Sequence, residues 1–280
     1  MKILDGKALS EELIDSAKDE ATKWKPKLAV ILVGENPASL VYIKNKKKAC
    51  ERAGIEYEER RFPDTITQDQ LISEIEKINT DDGISGLIVQ LPLPEHIQVP
   101  LVIRAIDPKK DVDGFHAYNL GKIFLSPDFE DLPPATPSGI IRLLDHYDIP
   151  IRGQEAVVVG HSNHVGKPVS IMLLNRNATV TTCHIHTKDL KSHTKRADIL
   201  IVAVGKAGLI TADMVKKGAV VVDVGINRTE DGKLCGDVDF ENVSKKASFI
   251  SPVPGGVGPM TVAALILNTV HAAKRQNLKP

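Results

Sequence analysis

Residues 155–166 read Glu155-Ala-Val-Val-Val-Gly160-His-Ser-Asn-His-Val-Gly166, and the fold follows from how they are read. Val157, Val158 and Val159 make a short run of β-branched residues, the pattern of a strand buried on both faces. Gly160 ends the run and a polar turn follows. Gly166 and Pro168 then open an apolar helical stretch through Val169, Ile171, Met172, Leu173 and Leu174. Strand, turn and helix in that order leave free backbone N–H groups where an anion binds, and glycine lets the backbone approach it. The natural anion for such a place is a dinucleotide pyrophosphate. The glycines are not spaced as G-x-G-x-x-G, so on this stretch alone a plain βα turn and a cofactor site have equal weight.

Working outward, the same alternation continues. A helix is expected over 138–147 and strands over 178–182, 199–203 and 219–224, with helices between them. Towards the amino terminus, Leu9, Leu13, Ile14, Ala17 and Ala21 fall at helical spacing, and 28–33 reads as a buried strand. Asn36-Pro37 starts a helix that Gly54 stops. A strand over 57–62, a helix over 68–78 and a strand over Gly86–Val89 follow. Pro92, Pro94, Pro100, Pro108, Pro127, Pro133, Pro134 and Pro137 then mark an irregular region, read as a domain boundary. A last helix over 260–274 is expected to pack back on the first domain. The expectation is an α/β protein of two α/β domains with a cleft between them. The first is 1–131 plus 252–280. The second, 132–251, is a Rossmann-like doubly wound parallel sheet.

In 280 residues, 42% hydrophobic and 26% charged describe an ordinary globular protein. Lys+Arg and Asp+Glu number 36 each, which argues neither for nucleic acid nor for an anionic membrane, and neither is expected as a partner. The amino terminus lacks the apolar core of a signal peptide, and the longest apolar runs are too short to span a bilayer. Cys50, Cys183 and Cys235, odd in number and widely spaced, fit a reduced cytoplasm.

Tyr42 and Lys46 stand four apart and share a helix face. A lysine facing a cleft would lose hydration and could shuttle a proton near neutral pH. Against that, Lys44, Lys46, Lys47 and Lys48 form a basic run, and such runs are usually solvated. Gln90 follows the strand Gly86–Val89, where open α/β sheets place ligand-binding groups; it either binds or caps a loop. Asp111-Val-Asp113-Gly114 does not continue as a calcium loop; one aspartate binds a donor-rich heterocycle, or both cap turns. The segment 251–261, Ser-Pro-Val-Pro-Gly-Gly-Val-Gly-Pro-Met-Thr, is rigid and irregular, as a binding surface or hinge would be. His184 and His186 beside Cys183 lack a second ligand pair, so no metal is expected. The strand over 178–182 exits into Cys183-His-Ile-His-Thr-Lys188 with no acid, and with His161 in the glycine turn this tolerates a 2′-phosphate and favours NADP over NAD.

Five segments in order, Tyr42-Ile-Lys-Asn-Lys46, Val89-Gln-Leu-Pro-Leu93, Lys110-Asp-Val-Asp-Gly114, Asp223-Val-Gly-Ile-Asn227 and Pro252-Val-Pro-Gly-Gly-Val-Gly-Pro-Met-Thr261, resemble the bifunctional methylenetetrahydrofolate dehydrogenase/methenyltetrahydrofolate cyclohydrolase family. The resemblance runs from about residue 3 to 275. It implies NADP-linked oxidation of 5,10-methylenetetrahydrofolate and hydrolysis of the methenyl product to 10-formyltetrahydrofolate, by a cytoplasmic homodimer. It implies Lys46 as general acid/base tuned by Gln90, with Tyr42 stacking on the folate and Asp113 binding the pterin edge. Pro254 and Gly255 are implied folate contacts. Gly160, His161 and Ser162 are implied phosphate contacts, and Ile226 a contact near the nicotinamide. Two positions depart from the family. Ala135 stands where many members have cysteine, with little expected consequence. His161 stands where some carry arginine, a firmer phosphate partner. A monofunctional NAD-linked dehydrogenase and a non-catalytic nucleotide-sensing module are the alternatives.

Overall fold

Runs of buried β-branched residues form parallel strands, and the amphipathic stretches between them form helices. The computed structural model describes residues 1–229 and 231–278. Its elements begin with β1 (Lys2–Ile3), α1 (Gly6–Ser16), α2 (Lys18–Trp24), β2 (Lys27–Val33), α3 (Pro37–Ala53), β3 (Glu56–Phe62), α4 (Gln68–Asn79) and β4 (Gly86–Val89). α5 (Val99–Ala105), α6 (Ala117–Ile123), a 3₁₀ turn at Pro127–Phe129 and α7 (Ala135–His146) come next. Then follow β5 (Glu155–Val159), α8 (Gly166–Asn175), β6 (Thr179–Cys183), α9 (Leu190–Thr194) and β7 (Ile199–Val202). After a 3₁₀ turn at Ala212–Met214 come β8 (Val220–Asp223), β9 (Asn227–Arg228), β10 (Leu234–Cys235), α10 (Phe240–Ser244), β11 (Phe249–Ile250) and α11 (Val257–Asn277).

The chain divides into two units. One holds residues 11–122, 128–135 and those from 262 on, around a parallel sheet of order β3-β2-β4. β2 pairs with β3 from Lys27↔Glu56 to Val33↔Phe62, and with β4 from Leu28↔Gly86 to Ile31↔Val89. Alternate residues of β2 feed two cores. Leu28, Val30 and Leu32 pack with Ile14, Ile43, Cys50 and Ile266, while Ala29, Ile31 and Val33 pack with Leu71, Ile75 and Val102. Each fully buried Leu or Ile contributes about 1.5–3 kcal/mol, which ties this central strand to helices on both faces.

The other unit holds residues 1–10, 123–127 and 136–261, around a six-stranded sheet of order β1-β11-β8-β7-β5-β6, parallel throughout. From β5 the chain pairs first with β6 on one side, then with β7 on the other. That reversal is a topological switch point, and ligands bind outside the carboxyl ends of the strands there.

The structure departs from the expected layout at several places. The proline-marked region contains α5 and α6, because Pro100 lies in the first turn of α5, where a missing N–H costs nothing. Pro137 sits in the same way near the start of α7, which begins at Ala135 and not at 138. The connection from β7 to β8 has only a 3₁₀ turn where a helix was expected. The amino terminus, expected in the first domain, adds β1 to the six-stranded sheet through Lys2 N–H to Ser248 O (2.7 Å) and Leu4 N–H to Ile250 O (2.9 Å). Gly6 supports this seat, since a Cβ there would overlap the Gly256 carbonyl. Residues 252–261 therefore stay with the six-stranded sheet, and only the remainder of α11 packs in the first unit. There Asn268 Nδ2 donates to Val112 O and Pro133 O, both at 2.9 Å. Among the described residues no helix is long and apolar enough to cross a membrane.

Candidate active site

In the three-stranded sheet the chain leaves β2 for β3 on one side and returns to β4 on the other, so the carboxyl ends of β2 and β4 flank a switch point. α3 follows β2, and Gln90 follows β4, its N–H donating to Ile31 O at 2.9 Å. Mid-way along α3, Lys46 is buried, 8% exposed, whereas Lys44, Lys47 and Lys48 are exposed. The basic run is thus solvated except at the one position that shares a stripe with Ile43, Cys50 and Ala53. Lys46 Nζ donates to Gln90 Oε1 at 3.1 Å. Gln90 Nε2 donates to Leu91 O at 2.7 Å, which fixes the amide with its oxygen towards the lysine. Ser39 Oγ donates to the same Leu91 carbonyl at 3.3 Å.

Among the described residues Lys46 has no carboxylate partner and no other hydrogen bond. An ammonium has three donors, so two remain for a ligand. A buried lysine with a neutral partner is a poor structural device and a suitable proton carrier. Tyr42, one turn earlier, is half-buried, and burial holds its phenol above the usual tyrosine value. The Cys50 thiol, one turn later, is pushed up to about 12 by burial, which removes it as a nucleophile.

The two aspartates of Lys110–Gly114 have different fates. Asp111 pairs with Leu87 of β4 in a parallel bridge, which carries Asp113 towards the strand end that bears Gln90. Asp111 is 1% exposed and accepts from Phe115 N–H (3.2 Å), His116 N–H (2.8 Å) and Asn119 Nδ2 (2.8 Å). Burial raises its carboxyl above the ordinary range, against the pull of these donors. Asp113 is half-buried, and among the described residues its carboxylate takes no hydrogen bond or ion pair. Asp111 therefore shapes the turn, and Asp113 is left for a ligand. Asp111→Ala strands three donors at about 1–3 kcal/mol each when buried, so thermal melting should show a loss of at least about 2 kcal/mol.

At the switch point of the six-stranded sheet, Gly160 has φ +119°, and a Cβ on it would overlap the Ala203 carbonyl at the end of β7. A Cβ on Gly166 would overlap the Gly160 carbonyl. This turn is a cradle closed to side chains, which fits the close backbone approach of a dinucleotide. His161 and Ser162 are exposed. Ser162 Oγ accepts from Val165 N–H (3.2 Å) and Gly166 N–H (3.4 Å), so the hydroxyl oxygen caps α8 and keeps its proton for another acceptor. The His161 ring lies 5.1 Å from that of His184, and His184 lies 6.0 Å from His186. Ile226, beyond β8, is 48% exposed. Pro254 and Gly255 lie in this unit, with Gly255 O accepting Lys7 N–H at 2.8 Å, whereas Tyr42, Lys46, Gln90 and Asp113 lie in the other.

Two carboxylates were given no role by the sequence. Asp223, at the end of β8, accepts from Gly225 N–H (3.1 Å), Asp237 N–H (2.9 Å) and Val238 N–H (2.9 Å). Burial, with the Asp237 charge adding to it, pushes its carboxyl up to about 6. Asp237 is wholly buried and accepts from Val204 N–H (2.7 Å), Gly205 N–H (3.0 Å), Lys206 N–H (2.7 Å) and Asn227 Nδ2 (2.9 Å). The signal was two glycines, Gly225 and Gly236, each next to a segment that bears an aspartate.

A doubly wound unit with a dinucleotide cradle, joined to a smaller α/β unit with a buried lysine, defines the class of two-domain nucleotide-linked enzymes. A family model for the tetrahydrofolate dehydrogenase/cyclohydrolase catalytic domain matches residues 4–113, and one for the NAD(P)-binding domain of that family matches 134–277. The chain is 56% identical to the Bifunctional protein FolD of Nautilia profundicola over 279 residues, 98% of each chain. It is similar to the solved bifunctional enzyme FolD of Campylobacter jejuni, with a TM-score of 0.95 and 50% identity over 98% of this chain and 99% of the other. It is also similar to the dehydrogenase-cyclohydrolase of Trypanosoma brucei complexed with NADP cofactor and inhibitor, with a TM-score of 0.94 and 32% identity over 98% of each chain. The chain belongs to the tetrahydrofolate dehydrogenase/cyclohydrolase family.

Proposed function

We propose that Lys46, oriented by Gln90, is the proton carrier of the hydrolytic half of a bifunctional folate enzyme. The chain oxidises 5,10-methylenetetrahydrofolate to 5,10-methenyltetrahydrofolate with NADP and hydrolyses the product to 10-formyltetrahydrofolate. The observation that carries the assignment of Lys46 is a buried amine, with free donors, against a neutral amide at a switch point.

NADP, when bound, accepts the hydride. The folate nitrogens stabilise the cation left behind, so this step asks the protein for alignment and not for a base. Hydrolysis is different. Water adds to the bridging carbon and loses a proton, and the bond from that carbon to N5 then breaks as N5 gains one. The hydroxyl left on the carbon becomes the formyl C=O by releasing its own proton to solvent. Lys46 Nζ takes the first proton and returns it for the second. Gln90 holds the amine in place, Tyr42 stacks on the folate, and Asp113 accepts from the pterin N–H edge. Pro254 and Gly255 are further folate contacts in this reading.

Gly160, His161 and Ser162 hold the cofactor phosphates, and Ile226 touches the nicotinamide end. The exposed His161 beside His184, with no carboxylate among residues 184–188 directly after β6 to take ribose hydroxyls, supports preference for NADP. Initial rates should give kcat/KM at least about tenfold higher with NADP than with NAD, the value of one charged hydrogen bond; equal rates would overturn the preference. The protein is a cytoplasmic homodimer in this proposal, its three free cysteines suited to a reducing compartment.

The testing experiment follows reduced cofactor formed from methylenetetrahydrofolate, and loss of methenyl absorbance without cofactor. Both signals are expected. Formation of reduced cofactor with no methenyl hydrolysis would reduce the protein to a monofunctional dehydrogenase.

A further inference from the structure

Asp223 and Asp237 have no part in the chemistry above, yet two buried carboxylates without a cation are costly to keep. Their donors are all backbone N–H groups except Asn227 Nδ2, and they come from the segments that follow β7, β8 and β10. Asp237 gathers Val204, Gly205 and Lys206 on one side and Asn227 on the other. Ile226 lies between Asn227 and Gly225, whose N–H is held by Asp223. Two backbone N–H bonds from Asp237 and Val238 to the Asp223 carboxylate join the aspartates. The fit is keyed reciprocally: a Cβ on Gly225 would overlap the Asp237 carboxyl, and a Cβ on Gly236 would overlap that of Asp223. The clamped 204–206 segment begins one residue after Ala203, the residue whose carbonyl bars a side chain at Gly160.

We propose that Asp237 and Asp223 are positioning residues of the dinucleotide site, a paired-carboxylate clamp that sets the segments after β7 and β8 at the height the cofactor requires. This rests on the reading that NADP occupies the carboxyl edge of the six-stranded sheet. The acceptor geometry states why aspartate is needed at 237. Each of its oxygens faces two donors, so an amide in either orientation aims its NH₂ at two N–H groups. At 223 one oxygen faces two donors and the other faces one, so an amide there loses a single bond.

The test uses the full-length protein and three variants, Asp237→Asn, Asp223→Asn and Asn227→Ala. NADPH dissociation constants are read by cofactor fluorescence, with KM for NADP, methenyl hydrolysis without cofactor, and the melting temperature in parallel. Asp237→Asn is expected to raise the dissociation constant and KM at least tenfold, with hydrolysis within about twofold of wild type. Asp223→Asn is expected to fall between the two. Asn227→Ala, which cuts one link to the clamp at a half-buried side chain, keeps the inference open to refutation if the aspartate variants do not fold, and should raise both constants at least threefold. Unchanged NADPH affinity in the folded variants overturns the proposal alone, as does hydrolysis falling in step with affinity. Wild-type protein that binds no NADPH overturns it together with the cofactor reading on which it rests.

Discussion

Lys46→Met is expected to lower cofactor-independent hydrolysis of methenyltetrahydrofolate by about 10²- to 10⁴-fold, the range that a positioned acid–base group supplies. Methionine has nearly the length of lysine and no proton to give, so the comparison removes the chemistry and keeps the volume. It leaves Gln90 Oε1 without its 3.1 Å donor, but exchanges a buried ammonium for an apolar group among Ile43, Cys50 and Ala53. Replacing a buried charge by a well-packed apolar side chain is often neutral or stabilising. The melting temperature should therefore hold or rise while hydrolysis is lost, which separates a chemical role from a structural one. NADPH affinity is expected to be unchanged, since the cofactor groups lie in the other unit. Stopped-flow decay of methenyl absorbance measures the effect, and a rate within tenfold of wild type would remove Lys46 from the proton path.

Gly160→Ala carries the other large effect. At φ +119° any L side chain is strained by about 1–3 kcal/mol, and here the added methyl would also overlap the Ala203 carbonyl. The relief open to the chain is to part the carboxyl ends of β5 and β7, which flattens the cradle and retracts the start of α8 from the phosphates. NADPH affinity is expected to fall about a hundredfold, or about 2.7 kcal/mol, in a fluorescence titration. Cofactor-free hydrolysis by Lys46 in the separate unit serves as the control and should persist. Native NADPH affinity in the alanine variant would show that the glycine turn is not the seat of the cofactor.

The two sites were unequally legible. The glycine turn stood out because strand, glycine and helix are adjacent in the chain, whereas the Ala203 carbonyl that closes on Gly160 lies outside that stretch and left no mark in it. Lys46 was obscured by Lys44, Lys47 and Lys48, since a basic run gives no sign of which member is buried. The clue was helical spacing with Ile43, Cys50 and Ala53, which puts Lys46 on the apolar stripe. Asp111 and Asp113 were indistinguishable by type, and only the donors Phe115, His116 and Asn119 separate the turn-former from the free carboxylate.

By itself the sequence determined the central strands of both sheets, the helices that cover them, the glycine turn and the ordered motifs of the folate family. Each is a local pattern, written in the two- or 3.6-residue periods of a strand or helix or in residues a few positions apart. Only the tertiary structure decided that the amino terminus joins β11 and that Asp223 and Asp237 close on backbone amides of distant segments. A two-residue strand has no period to detect, and a buried carboxylate is tolerable only once its donors arrive. Those donors are backbone groups common to nearly every residue, so chain folding alone reveals which ones will be present.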